Sequence, residues 1–460
     1  MSIKVKRGGV YANAISTFVK RRGVYAASPG IFVKRAGVYA TDLIPLEFPG
    51  NITPMLAAIK AAGTGTRFVA NWLGMSIIAG VGANNSTSFG SSAARTSSIA
   101  PLVGANLTAA LGGVQSLGME EVGYSSASSL WSYTGSPVVT TFGSQGPNGY
   151  EVSLSGAGAQ SASITVTSTR VNQTVRIYSR VVGGAGVITP RFQLAGANVS
   201  GPGNLPASSA ADPLPAGTSW WYETNITLAS IGTTTITLLP SITAGHNWAI
   251  RGADLDYYIT SAGFTVHRLA RSGMGMGDLL AASLDDTDTQ PAGNWIGNPN
   301  LTRRQGQALS MTSRITGAGF DWVSTDVNDI QHYASYGYTL ADIGRHLDNF
   351  IADQLAKGRY TLFVAGLGLR NPSSYTGSPP YTQADIIALI RTKCAASARC
   401  GLIDLSLAWS GNTLQEKYNA QVADTSRWLA AEGPDYLHPS QLGHAYFASQ
   451  VSGSLLAALP

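Results

Sequence analysis

From residue 320 onward, short apolar runs alternate with amphipathic helical stretches, and this rhythm constrains the fold more than any other feature. Phe320–Ser324, Tyr360–Ala365 and Leu402–Ser406 read as buried strands. Between them a helix is expected over Thr339–Ala356, with Leu340, Ile343, Leu347, Phe350 and Ile351 on one face, and another begins near Gln383. A helix between two strands carries the chain back to where it started, so the strands pair in parallel and the helices cover the sheet. The pattern predicts a three-layer α/β core. It also occurs earlier, where a strand over Thr66–Trp72 leads into a turn, Leu73–Gly80, and an amphipathic helix around Ile99–Leu111.

Between residues 121 and 261 the period changes to two. Ser161–Ser168, Thr174–Ser179 and Thr234–Leu239 alternate between apolar and polar residues and are separated by Gly and Pro turns. Short strands at this spacing predict a β-sandwich. Because Phe264–Leu269 resumes the α/β pattern, the sandwich is expected as an insertion. The expected units are an α/β domain over 64–120 and 262–460, the inserted sandwich over 121–261, and a Pro-containing connector over 41–63.

Residues 1–40 repeat with a period of 14: Lys6-Arg7-Gly8-Gly9-Val10-Tyr11-Ala12 recurs as Lys20-Arg21-Arg22-Gly23-Val24-Tyr25-Ala26 and Lys34-Arg35-Ala36-Gly37-Val38-Tyr39-Ala40. Val and Tyr flanking a Gly step predict short hairpins. Three such hairpins bury little by themselves, so they need a sister chain or a scaffold. The charge follows the same division. The chain carries +5, yet residues 1–40 hold eight basic and no acidic residues, which leaves −3 on the remainder. A regular hairpin pattern favours docking onto protein over binding nucleic acid. Only 12% of residues are charged, about half the ~25% of an average globular chain, which suits an extracellular-type surface. No apolar run is long enough to span a membrane. The first seven residues contain no apolar signal core, so release by a route other than secretion is expected.

The candidate chemistry begins at Asp435-Tyr436-Leu437-His438-Pro439, which places a carboxylate three residues before an imidazole. Pro439 suits a first helical position, with Leu442, Tyr446, Phe447, Val451 and Leu455 at helical spacing behind it. Such a pair needs a nucleophile from elsewhere, and Ser76 in the turn after the first α/β strand is the candidate. Four blocks then stand in order: Gly74-Met75-Ser76, Gly273-Met274-Gly275-Met276-Gly277, Asp326-Val327-Asn328-Asp329, and Asp435 to His438.

In this order the blocks resemble those of the SGNH, or GDSL-type, hydrolases. The resemblance implies an α/β, SGNH-like parallel sheet and a catalytic Ser76, His438 and Asp435. It also implies an oxyanion hole built from the backbone of Ser76, the side chain of Asn328, and the backbone of Gly275 or Gly277, with Gly275 preferred. No metal or cofactor is implied. Met75 stands where the family usually has Asp, and Asp326 where it usually has Gly; both read as loop variation.

Trp220, Trp221 and Tyr222, with Trp131, Tyr133 and Trp248, offer flat faces for stacking on sugar, as in carbohydrate-binding modules. His246 and His267 read as structural, His444 as packing or capping, and His332 and His346 carry no partner signal. Cys394 and Cys400, with five residues between them and no nearby His, make no metal site and leave pairing open. The repeat arm resembles the N-terminal attachment segments of bacteriophage tail proteins. That likeness implies a virion protein docked to other tail proteins through residues 1–40, trimeric by analogy. It would act at the host surface as an esterase that removes O-acyl groups, O-acetyl foremost, from capsule or O-antigen. The alternative is a receptor-binding or structural tail protein that keeps the hydrolase fold without turnover.

Overall fold

The computed structural model describes residues 3–7, 10–14, 18–21, 24–27, 30–31, 43–83, 85, 96–116, 118–121, 131–141, 150–155, 160–168, 171–182, 187–188, 191–199, 205–206, 222–239, 247–254, 262–270, 275–279, 319–356, 358–428 and 437–460. Seven strands form the α/β sheet: β1 (Leu46–Glu47), β2 (Arg67–Gly74), β3 (Val114–Ser116), β4 (Gly263–Ala270), β5 (Phe320–Ser324), β6 (Tyr360–Ala365) and β7 (Cys400–Asp404). Their spatial order is β1-β7-β6-β5-β2-β4-β3. All neighbours are parallel except the edge strand β1, which runs antiparallel to β7.

Alternate residues of the central strands feed two separate cores. Phe68, Ala70 and Trp72 of β2, with Leu362 and Val364 of β6, pack under helices α1 (Thr53–Ala62), α3 (Ile99–Leu111) and α8 (Gln441–Ala457). Leu73 of β2, with Phe363 and Ala365 of β6, faces α4 (Asp326–Tyr336), α5 (Leu340–Ala356) and α6 (Gln383–Ala396). A sheet apolar on both faces must be covered on both faces, which is the physical basis of the three layers. The polar member of β5, Asp321, is tolerated in the interior because Arg359 donates to both of its oxygens at 2.7 Å and Asn71 donates at 2.9 Å.

Residues 41–63, read from sequence as a connector, contribute structure to this unit. Residues 46–47 form β1, and Met55, Leu56 and Ile59 of α1 are fully buried against the sheet. Arg391 of α6 clamps the edge by donating to Glu47 at 2.8 Å and to Asp404 at 2.6 Å. The prolines that suggested a linker instead start a short 3-10 turn and α1, where a missing N–H costs nothing.

Between β3 and β4 the described residues form two larger antiparallel sheets, beside a short pairing of Val187–Ile188 with Leu205–Pro206. One pairs Trp131–Thr134, Ser161–Ser168, Gly232–Leu239, Arg191–Leu194 and Ala197–Val199; the other pairs Val138–Thr141, Tyr150–Ser155, Asn247–Asp254, Gln173–Val182 and Tyr222–Leu228, with Met119–Glu121 alongside. Ile164, Ile236 and Phe192 from the first share one core with Leu154, Ile177 and Ile250 from the second, which makes a β-sandwich. Its entry and exit touch. Val114 donates its N–H to Ala262, and a Cβ on Gly263 would lie 1.9 Å from the Val114 oxygen. An insertion whose ends meet this closely leaves the registers of β3 and β4 undisturbed.

In the arm, Ile3–Arg7 pairs antiparallel with Val10–Ala14, and Phe18–Arg21 with Val24–Ala27, which also pairs with Gly30–Ile31. The third repeat lies outside the described residues. No helix among the described residues is long and apolar enough to cross a membrane.

Candidate active site

The site starts where β2 runs out. Gly74 closes the strand so tightly between β5 and the next turn that a Cβ there would lie 2.7 Å from the Ser324 oxygen and 3.0 Å from Ile78. Met75 then donates its N–H to Ser324, and the chain enters a single helical turn, α2 (Ser76–Ala79), which Gly80 ends with φ at 95°. A left-handed φ of this kind favours glycine. Ser76 is thereby held at the carboxyl edge of the central strand, 4% exposed. Met75 is fully buried in the core under α1, α3 and α8. Met75, which stands where SGNH-type hydrolases usually have Asp, thus packs into the core from the turn between β2 and α2.

His438 reaches this serine from the far end of the chain, its Nε2 2.7 Å from Ser76 Oγ. Three contacts fix the segment that carries it. Pro439 bridges to Trp428, Ser440 donates its N–H to the Arg427 carbonyl at 2.8 Å, and Gly368 passes so close that a Cβ would lie 2.9 Å from the Leu437 oxygen. Pro439 is not the first helical residue. Helix α8 begins at Gln441, capped by Ser440, whose hydroxyl accepts from Gly443 N–H, so the proline sits just ahead of the cap. Ser is a favoured cap residue, and its hydroxyl sets the helix start two residues past the proline. His444, fully buried one turn into α8, donates from Nε2 to the Val81 carbonyl at 2.7 Å; burial pushes its pKa down to about 4, so the ring is neutral. It straps α8 to the loop after α2.

The other two blocks leave the sheet on either side of Ser76. Because β4, β2 and β5 are adjacent and parallel, Gly275 beyond β4 and Asn328 beyond β5 emerge at the same edge as Ser76. Ligands of open α/β sheets bind at this carboxyl edge. Asn328 is 3% exposed in the first turn of α4 and donates its N–H to Thr325 at 2.8 Å. Gly275 is buried against α4, where a Cβ would lie 2.4 Å from His332 and 2.7 Å from Asp329 Oδ1. Asp329 Oδ1 accepts the Met276 N–H at 2.7 Å. Gly277 faces His346 in the same way, at 3.0 Å.

Asp326, also read as loop variation, is the first residue of α4, and its carboxylate points inward. Its Oδ2 accepts from the Gly366 N–H at 3.1 Å and from the Gln383 side chain at 2.7 Å. Burial pushes its carboxyl up to about 6. It therefore ties the loop after β6 to the helix that carries Asn328. Sequence reading missed this tie, together with Gln383 and the packing of His332 and His346, because each depends on elements far apart in the chain.

Asp435, Gly273, Trp220 and Trp221 lie outside the described residues. Tyr222 opens the strand Tyr222–Leu228, paired with Ser179. Trp131, offered as a stacking face, is 1% exposed in the sandwich core, so it packs and does not display a surface. Cys394 and Cys400 are buried free thiols; a hydrogen bond with Cys400 and burial push the Cys394 thiol well up.

The fold and the placement of these blocks define an SGNH-type α/β unit with an inserted antiparallel β-sandwich. The chain is similar to the structure of a peptidoglycan O-acetylesterase, with 15% identity over 88% of this chain and 96% of the other and a TM-score of 0.56. Weaker similarities include an acetyl xylan esterase from the rumen bacterium Butyrivibrio proteoclasticus (10% identity, 72% of this chain and 99% of that one, TM-score 0.25) and a family 35 carbohydrate binding module from Clostridium thermocellum (13%, 27% and 89%, TM-score 0.22). No family model and no curated protein matches the sequence.

Proposed function

We propose that this chain is a serine esterase that removes O-acyl groups, O-acetyl foremost, from a bacterial surface polysaccharide. The 2.7 Å contact between Ser76 Oγ and His438 Nε2 carries the reading. A serine hydroxyl is a poor nucleophile until a base takes its proton, and a neutral imidazole at this distance is such a base. Ser76 attacks the ester carbonyl while His438 accepts the hydroxyl proton. The former carbonyl oxygen becomes an oxyanion, held by the N–H groups of Ser76 and Gly275 and the side-chain amide of Asn328. The intermediate collapses as His438 returns the proton to the departing sugar hydroxyl. Water, deprotonated by the same ring, then releases acetate from the acyl-serine. Asp435 is assigned to hold the other ring nitrogen and stabilise the imidazolium.

O-acetyl is named because a structure of the same fold is an O-acetylesterase, and polysaccharide because a β-sandwich interrupts the hydrolase unit. Trp220, Trp221 and Tyr222 are its proposed sugar contacts. The hairpin repeats support attachment through residues 1–40 to other proteins of a phage tail, with the esterase acting at the host surface.

The test is acetate release from capsule and O-antigen preparations by wild type and Ser76→Ala. The substitution removes one oxygen and should leave the circular dichroism spectrum unchanged. Turnover should fall by several orders of magnitude, as it does by about 10⁶-fold in a triad enzyme stripped of its serine. Equal, slow release by both proteins would instead make the chain a polysaccharide binder with a hydrolase fold.

A further inference from the structure

We infer that Asp329 is the positioning residue that sets the oxyanion donor of the glycine block. The inference rests on the esterase reading above. The residue right after Asn328 meets the loop beyond β4. There its Oδ1 takes the Met276 N–H at 2.7 Å, in a buried environment. Fixing the Met276 nitrogen fixes the plane of the peptide that leaves Gly275; the Gly275 N–H belongs to the preceding peptide and is held through the Gly275 Cα that the two peptides share. The Gly275 Cα is held at the same time. His332, one turn further along α4, lies where a Cβ on Gly275 would be, 2.4 Å away, and Asp329 Oδ1 lies 2.7 Å from the same point. Gly275 is thus a glycine for want of space. No left-handed φ demands it, since it is absent among the residues of positive φ.

One turn of α4 therefore carries two functions. Asn328 supplies a donor in person, and Asp329 registers the backbone that supplies another. Both are set by the same four residues of helix, so the spacing between the two donors is as rigid as the helix itself. Oxyanion stabilisation depends on donors being in place before charge develops. The pairing of Asn with Asp in this block then has a mechanical purpose. It also favours Gly275 over Gly277, because Gly277 lies past the anchored nitrogen, within the 3-10 turn Met276–Leu279.

The experiment compares Asp329→Ala and Asp329→Asn with wild type and Ser76→Ala. It uses kinetics on p-nitrophenyl acetate and hydrogen–deuterium exchange of the peptide spanning Gly275 and Met276. Asn keeps an oxygen at the accepting position; Ala does not. The expected result is a fall in kcat of about 10²-fold for Asp329→Ala, comparable to loss of one oxyanion donor, with KM little changed. Asp329→Asn should recover most of it. Exchange should quicken at the Gly275–Met276 peptide in the Ala variant alone, with β6 and α5 as protected as in wild type. Wild-type kcat in Asp329→Ala would overturn the inference. So would equal losses in Ala and Asn, or faster exchange spread over β5, β6 and α5, which would mark a residue of general stability. A wild type without Ser76-dependent hydrolysis would refute the esterase reading, and the exchange comparison would still decide whether Asp329 anchors the loop.

Discussion

Replacing Asp326 by Asn should raise the stability of the α/β unit relative to wild type progressively as the pH rises from acid to neutral. The carboxyl is buried at the start of α4; burial, with a smaller like-charge effect from Asp404, pushes it from 3.8 up to about 6 against the opposing hydrogen bonds from Gln383 and Gly366. An acid whose folded pKa lies above its unfolded value costs stability when ionised. The cost is absent below about 3.8, grows through the window, and is complete above about 6. At 1.36 kcal/mol per pKa unit the rise amounts to about 3 kcal/mol. Asn keeps an acceptor for Gly366 and Gln383 but carries no charge. Its amide hydrogens, placed where Oδ1 has no hydrogen-bond partner among the described residues, add a pH-independent penalty of about 1–3 kcal/mol. The slope is the test, since this offset and all other titrations cancel in it. Urea unfolding of both proteins between about pH 4 and pH 8, followed by tryptophan fluorescence, should show the variant gaining about 3 kcal/mol on wild type as pH rises. A difference that stays flat would refute a buried, ionising Asp326.

Gly74→Ala would press a methyl against the Ser324 oxygen, 2.7 Å away, and should lower stability by about 1–3 kcal/mol while displacing Ser76. Thermal melts and ester kinetics should fall together, and unchanged values in both would contradict the tight strand end. If residues 1–40 dock the chain onto a phage particle, as proposed, deleting them should leave a folded protein that no longer joins the particle, checked by sedimentation and by incorporation into virions. Incorporation at the wild-type level would end the attachment role.

The α/β layers were legible in the chain because their cause is local. The helix Ile99–Leu111 and the strand Ser161–Ser168 fall where periodicity placed them, since an amphipathic period follows from which faces must be buried. The inserted sandwich could be read for the same reason. Less was legible where burial depends on a partner far along the chain. Ile44 and Leu46 looked like a connector beside prolines, and the short helical run from Met55 gave no sign of what it packs on; only the packing of β1 and α1 made these residues core. Trp131 could not be sorted between surface and core by its type.

The site divides in the same way. The order of four short blocks was enough to nominate Ser76, His438, Gly275 and Asn328, because chemistry restricts which residue types can serve. Their convergence was decided by the sheet. Placing β4, β2 and β5 side by side brings three blocks to one edge, and the Trp428–Pro439 bridge with the Gly368 contact brings His438 to Ser76 across 362 positions. The inward packing of Met75 and Asp326, both read as loop variation, was not legible because a residue's own type does not say which way it points. Side-chain direction at a strand end or a helix start is set by the surrounding packing, and Asp326 turned inward to Gly366 and Gln383 only once β6 and α6 were in place. The sequence alone determined which chemistry the chain could perform; the tertiary structure decided which atoms meet, because hydrogen bonds act over about 3 Å and no local pattern encodes contacts hundreds of residues apart.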